Sequence, residues 1–350
     1  MRIRILLLLV AITTTVFSQN LTQYYSTAYN TQGEDLRDKL NDIIKGHTEF
    51  SYTSSSTDVW DILKETDKDP ENPENVILFY SNVSVNGDQE YNNGQGWTRE
   101  HVWAKSRGDF GTSRGPGTDV HHLRPASLSI NSSRNNRNFK DCIDCNPLVY
   151  QGSPSGATST TEYTYEPNDN VKGDVARMIF YMALRYEGEN GEPDLEIIDY
   201  LLDKDDKMPY HALLSTLLEW NVLDTVSNFE KNRNNIIYYN YQHNRNPFID
   251  YPELAEYLYG SMTDQFWNPH HLAVNNQKLH HISVFSNASE GAITIKNAQK
   301  YQMEVYNLLG QLLSSGIVAS ETETIKLPYA GFMIIRLSNG NETFTQKVVL

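Results

Sequence analysis

Gly96-Trp97-Thr98-Arg99-Glu100-His101-Val102-Trp103-Ala104-Lys105-Ser106 is the stretch on which the reading turns, because it sets a carboxylate directly beside a histidine. Two further segments follow it. They are Thr118-Asp119-Val120-His121-His122-Leu123-Arg124-Pro125-Ala126 and Ser129-Ile130-Asn131-Ser132-Ser133-Arg134-Asn135-Asn136-Arg137-Asn138-Phe139. Hydrolysis of a phosphodiester needs a base that works near pH 7, and histidine suits that pH. It also needs a hard cation to offset charge on the phosphate and the leaving oxygen, for which a carboxylate and an amide oxygen are suitable ligands. Arginine adds bidentate contacts to phosphate oxygens. The three segments supply all of these types. In a continuous strand Glu100 and His101 would point to opposite faces. Both reach one phosphate only if the strand ends or bends, which predicts a loop or bulge immediately after Glu100. The spacing predicts a mostly helical 126–139, with Asn131, Arg134, Asn135 and Asn138 on one face. A β-hairpin facing that helix would bring Glu100, His101 and Asn131 together.

Working outward, the chain has 350 residues, 39% of them hydrophobic, and a formal net charge of -15. The length fits one large domain or two ordinary ones, with a core that needs no disulfide stapling. The mean hydropathy of -0.54 argues against a multi-span membrane protein. An acidic chain of this kind would ordinarily avoid polyanions, but the charge is uneven. Residues 20–96 carry a net -9 and residues 141–280 a net -13. Between them, residues 97–140 hold eight basic side chains (Arg99, Lys105, Arg107, Arg114, Arg124, Arg134, Arg137 and Lys140) against Glu100, Asp109 and Asp119. The expectation is a cationic cleft for a phosphate backbone, inside an acidic shell that favours product release.

Arg2 and Arg4 followed by the uncharged run Ile5 to Val16 read as a secretory signal over residues 1–18, too short to span a membrane. The protein is therefore expected to work outside the cytoplasm. Its two cysteines, Cys142 and Cys145, cannot complete a zinc site alone and read as a local disulfide. Apolar periodicity predicts helices over 35–44, 59–63, 174–186, 195–202 and 210–220, and a strand over 76–80. The acidic run 67–73 lacks the glycine of an EF-hand, since Asn72 stands at the sixth position, and reads as a solvated turn. Residues 150–170 read as a loop. One of His121 and His122 is expected to be buried in support of the hairpin, and Asn244-Arg245-Asn246 to be a structural clasp. Residues 261–280 read as a linker. Residues 281–350 have no aspartate and no net charge, and their alternating apolar runs predict a small antiparallel sandwich.

At this point the residues resemble a family. R-E-H-V-W-A-K-S (99–106), D-V-H-H-L-R-P-A (119–126) and I-N-S-S-R-N-N-R-N-F (130–139) resemble the secreted endonuclease I family, whose active site is a ββα-metal or His-Me finger motif. V-W-D-I-L-K-E-T-D-K-D-P-E-N-P-E-N-V-I-L-F-Y (59–80), A-R-M-I-F-Y-M (176–182) and N-R-N-P-F-I-D-Y-P-E-L (244–254) extend the resemblance across about residues 20–260. It implies an α+β fold, with a helix-rich nuclease domain over 19–260 and a small all-β tail. It also implies cleavage of DNA, and of RNA as well, with one Mg²⁺, or Ca²⁺ or Mn²⁺, and little sequence preference. His101 would be the general base activating water, with 5′-phosphate products. Glu100 and Asn131 would hold the metal, and Arg134 or Arg114 would stabilise the transition state. Arg99, Lys105, Arg124, Arg137 and Asn135 would contact nucleic acid. Some relatives have a glutamate two residues before the counterpart of Asp119. Gly117 stands there in this chain, so that role is absent or moved.

The tail resembles the type IX secretion sorting domain of Bacteroidetes proteins, on I-S-V-F-S-N-A-S-E-G-A-I-T-I (282–295), V-Y-N-L-L-G-Q (305–311) and K-V-V-L (347–350). Ser286-Asn287-Ala288 stands where such tails usually carry P-N-P. The implied partners are the type IX machinery and a nucleic acid. The implied destination is the medium or the outer-membrane surface of a Gram-negative bacterium, as a monomer without a membrane span. The competing reading from another class is a noncatalytic exported protein that binds nucleic acid or a surface. A phosphodiesterase acting on small nucleotides is a third.

Overall fold

A computed structural model describes residues 21–142, 144–269 and 282–349, apart from 288–290, 308–309, 329–330 and 340–342. The expected signal peptide and residues 270–280 of the expected linker lie outside the described residues. Two compact units divide after Trp267. That tryptophan is fully buried and bridges to Thr31, so the first unit runs several residues past the boundary expected at 260.

In chain order the first unit contains α1 (Leu21–Tyr24), α2 (Gly33–Ile44), α3 (Val59–Thr66), β1 (Asn75–Leu78), β2 (Val83–Asn86), β3 (Trp97–His101), β4 (Leu123–Ser127) and α4 (Leu128–Arg134). It continues with β5 (Asn138–Phe139), β6 (Asn146–Tyr150), β7 (Ser153–Ser159), β8 (Thr164–Glu166), α5 (Lys172–Arg185), β9 (Glu196–Ile198), β10 (Tyr210–Ala212), α6 (Leu214–Leu223), α7 (Asn228–Ile236), α8 (Pro247–Asp250) and α9 (Leu254–Tyr259). The expected α+β mixture is present. Among the described residues no helix is long and apolar enough to cross a membrane.

Helix α5 is the axis of the core. Every residue from Gly173 to Arg185 is buried, so it is covered on all faces. Helix α2 packs on it with Leu36, Leu40 and Ile44 inward, and α6 adds Leu217 and Trp220 to the same core. Helix α3 starts at a capping box. The Asp58 carboxylate accepts from Trp60 and Asp61, and the Asp61 side chain accepts from the Asp58 N–H. Small sheets surround the helices: β1 with β2, β3 with β4, β9 with β10, and the four-stranded β5-β8-β7-β6.

Several expectations need correction. Residues 196–198 are strand, not helix, because they pair in parallel with β10, and that pairing overrides the helical spacing. The helix expected from 210 begins at Leu214, after β10. Residues 150–170 contain β7 and β8 rather than a loop. The acidic turn is not wholly solvated. Asp67 is fully buried, with Arg124 on one carboxylate oxygen and Arg233 on the other. Cys142 and Cys145 are joined in a disulfide, as expected.

The second unit is β-rich. It contains β11 (Ser283–Asn287), β12 (Ala292–Lys296), β13 (Gln302–Asn307), β14 (Leu312–Ile317), β15 (Thr322–Lys326), β16 (Phe332–Ser338) and β17 (Thr343–Val349). They form the antiparallel sheets β11-β12-β15 and β14-β13-β16-β17. Ile293 and Ile295 of one sheet share a core with Val305, Ile335 and Leu337 of the other.

Asp67→Asn would leave two buried guanidinium groups facing a neutral amide. It is expected to lower the unfolding free energy by about 3–5 kcal/mol, read as a lower urea midpoint at unchanged m. A loss under about 1 kcal/mol would show that the pair is dispensable.

Candidate active site

Strands β3 and β4 pair antiparallel, with Glu100 opposite Arg124 and His101 opposite Leu123, and α4 packs on both. The hairpin and helix border a cavity of about 480 Å³. Glu100, His101, Asn131 and Arg134 all line it, together with Arg99, Lys105 and Asn135. The juxtaposition expected from sequence is therefore present, with two adjustments. Strand β3 ends at His101, one residue later than predicted. There the Arg134 guanidinium donates to the His101 and Val102 carbonyls, while the Val102 N–H still pairs with the His122 carbonyl. Helix α4 is shorter than predicted, ending at Arg134, because Asn135 after it takes a non-helical backbone (φ 53°, ψ -128°). Asn138 consequently leaves the shared face and is buried between the Tyr163 and Leu202 carbonyls.

Glu100 is 2% exposed. Its Oε1 accepts from the Tyr80 hydroxyl at 2.8 Å and lies 3.3 Å from Arg134 Nη1. Burial pushes its pKa up to about 7, against the opposing pull of Arg134 and Tyr80. His101 is 6% exposed, and its Nε2 lies 3.0 Å from the Gly117 carbonyl. A carbonyl can only accept, so the proton sits on Nε2 and the lone pair on Nδ1. Burial, with His122 alongside, holds the His101 pKa well below the usual histidine range. It is the main-chain oxygen of Gly117 that meets the imidazole. A Cβ at Gly117 would lie 2.5 Å from the Ser113 carbonyl, so the turn closes only on glycine.

Tyr52, which sequence reasoning missed, lies nearly parallel to the His101 ring, with centroids 5.6 Å apart. Arg99 is sandwiched behind it, 3.4 Å from the Tyr52 ring centroid and 4.0 Å from that of Trp60. Its guanidinium also donates to the Tyr52 carbonyl and the Thr53 hydroxyl. No motif or periodicity marks Tyr52 in the sequence. Tyr80 was hidden in the same way, inside an apolar run.

The other expected contacts divide. Arg124 does not reach the cavity. It is 3% exposed, engages Asp67 and Asp174, and stacks on Phe79. Its basic charge is cancelled by buried carboxylates, which corrects the expectation of a nucleic-acid contact. Arg114 is exposed, bonds to Ser51 Oγ and does not line the cavity. Arg137 folds back on the Ser133 carbonyl and the Tyr163 ring, also outside the lining. Both His121 and His122 are buried, not one. His121 meets Asn244, and His122 meets the Pro116 carbonyl and the Trp103 N–H. Burial lowers the pKa of each to about 4, so both are neutral supports. Asn244-Arg245-Asn246 is the expected clasp: Asn244 bonds to Ile44 O, Arg245 to Asp250, and Asn246 caps α8.

The donors fit a hard divalent cation. Among the described residues both contacts to Glu100 end on Oε1, and Oε2 takes none. Asn131 donates through Nδ2 to the Arg99 carbonyl at 3.3 Å, which leaves its Oδ1 as a ligand. A carboxylate oxygen and an amide oxygen in one cavity match the preference of Mg²⁺ or Ca²⁺. Glu187, Asp194 and Glu196 also bring carboxylate oxygens within 4.8 Å of one another, but none lines this cavity, and Glu187 is paired with Arg37.

Comparison with known proteins gives the family. Residues 32–253 match the family described as Endonuclease I, and residues 273–350 match a domain of unknown function, DUF6383. An extracellular ribonuclease of Bacillus subtilis (strain 168) is 51% identical over 236 residues, covering 67% of this chain and 78% of that protein. An extracellular ribonuclease of Bacillus amyloliquefaciens is 49% identical over 242 residues, 69% of this chain and 80% of that one.

A proton on Glu100 competes with a cation. Because its pKa is raised to about 7, the apparent affinity for Mn²⁺ is expected to rise about tenfold per unit up to about pH 7 and then level, with proton release on binding. Calorimetry in buffers of different ionisation heat reads both effects. An affinity flat between about pH 5.5 and 8 would remove Glu100 from the ligand set.

Proposed function

Because the chain belongs to the endonuclease I family and is a nuclease, we propose that it is a secreted, metal-dependent endonuclease hydrolysing phosphodiester bonds in DNA and RNA with little sequence preference. The observation that carries this is the convergence of His101, Glu100 and Asn131 on one cavity, with His101 Nδ1 left as the basic atom. The names of the two relatives support RNA as a substrate and an extracellular setting.

Glu100 and Asn131 would hold the cation. When bound, Mg²⁺ supplies charge neutralisation at the phosphate and the departing oxygen. His101 Nδ1 takes a proton from water, and the Gly117 carbonyl keeps the ring in that tautomer and stabilises the imidazolium that forms. Attack of that water on phosphorus breaks the bond to the 3′ oxygen and leaves a 5′-phosphate. Of the two candidate arginines, Arg134 lines the cavity and Arg114 does not. Since the Arg134 guanidinium is buried on main-chain carbonyls and Glu100, its part is to hold the Glu100 carboxylate in place. The low His101 pKa keeps the base neutral below pH 6.5.

We read the second unit as a sorting tail for the type IX machinery, delivering a monomer to the medium or the outer-membrane surface of a Gram-negative cell. Its two-sheet sandwich and the V-Y-N-L-L-G-Q and K-V-V-L segments support this.

In a plasmid-nicking assay with Mg²⁺, His101→Ala is expected to lose at least about 100-fold in rate, and EDTA to abolish cleavage. Equal cleavage by wild type and variant would sink the mechanism, and insensitivity to EDTA would sink the metal requirement. At saturating cation the acid limb of kcat should fall below about pH 6.5. A limb above that value would contradict a His101 base.

A further inference from the structure

The basic stretch 97–140 looked like a cationic cleft, but most of its charge is held inside the fold. Arg99, Arg107, Arg124 and Arg134 are buried and bonded to carbonyls, hydroxyls or carboxylates. Lys140 is paired with Glu162, and Arg137 is folded onto Tyr163. Among the described residues Lys105 is the cavity-lining cation that is exposed and without an ion pair. Arg114 does not line the cavity, but it is exposed and bonded to Ser51, the chain neighbour of the lining residue Tyr52. The rest of the lining, such as Thr98, Ser106, Ser132 and Asn136, is neutral.

A nucleic acid gains affinity from each phosphate a cation neutralises, and each such contact steepens the salt dependence. We propose, building on the nuclease reading, that this site grips its substrate through the scissile phosphate and at most two flanking phosphates, met by Lys105 and Arg114. Short oligonucleotides are then substrates as good, bond for bond, as long polymers. The other lining cations, Arg99 and Arg134, are buried, so nothing in the cavity beyond Lys105 holds the remainder of a polymer and cleavage is distributive.

The test uses the full chain at saturating Mg²⁺, with a tetranucleotide and a single strand of about 30 nucleotides of the same composition. Initial rates give kcat/KM per bond between about 50 and 500 mM NaCl. Two phosphates at about 0.7 each predict a log–log slope near -1.4, and Lys105→Ala should make it shallower by about 0.7. The tetranucleotide should stay within about tenfold of the longer strand. A slope steeper than about -2, or a larger deficit for the tetranucleotide, overturns the proposal while leaving the nuclease reading intact. No cleavage of the longer strand at any salt overturns the nuclease reading, and this proposal with it.

Discussion

The guanidinium of Arg134 is the joint on which the site depends. It is 1% exposed, and it reaches the His101 and Val102 carbonyls, the Asn135 carbonyl and the Glu100 carboxylate. One planar fork therefore meets the end of a strand, the residue after a helix and a carboxylate. Arginine can do this because its five donors are rigidly arranged and its charge is permanent. Glu100 and His101 both lie within β3 and both line the one cavity, and Arg134 touches the side chain of the first and the carbonyl of the second.

That same use of arginine recurs across the unit. Arg124 and Arg233 share Asp67, Arg177 binds Glu230, and Arg107 gathers the Asp203, Asp206 and Asn136 carbonyls. These groups tie distant parts of the chain through low-dielectric contacts that tolerate no missing partner. Charge in this protein is first of all a packing device.

Much of the site was legible in the sequence and rather less of the fold. The pairing of Glu100 with His101 and the later Asn131 and Arg134 could be read because the chemistry demands those residue types. Helices α2, α3 and α5 were legible from apolar spacing. Strand β9 was misread because its apolar run is equally compatible with a helix, and only its pairing with β10 decides the matter. The fate of Arg124 was hidden because the carboxylates that neutralise it, Asp67 and Asp174, lie 57 and 50 residues away. Tyr52 was hidden for the opposite reason. Its importance lies wholly in what it stacks on, and nothing in its neighbours announces that.

The group that orients His101 is the main-chain oxygen of Gly117, which no codon encodes. Exchanging one side chain for another cannot delete it or retune it gradually, as could be done with a carboxylate in the same place. What is inherited is the course of the turn, enforced by the Ser113 carbonyl pressing on a position that has no room for a Cβ. Variation here is therefore all-or-none: the loop either retains its path, and with it the tautomer of the base, or the imidazole loses its guide.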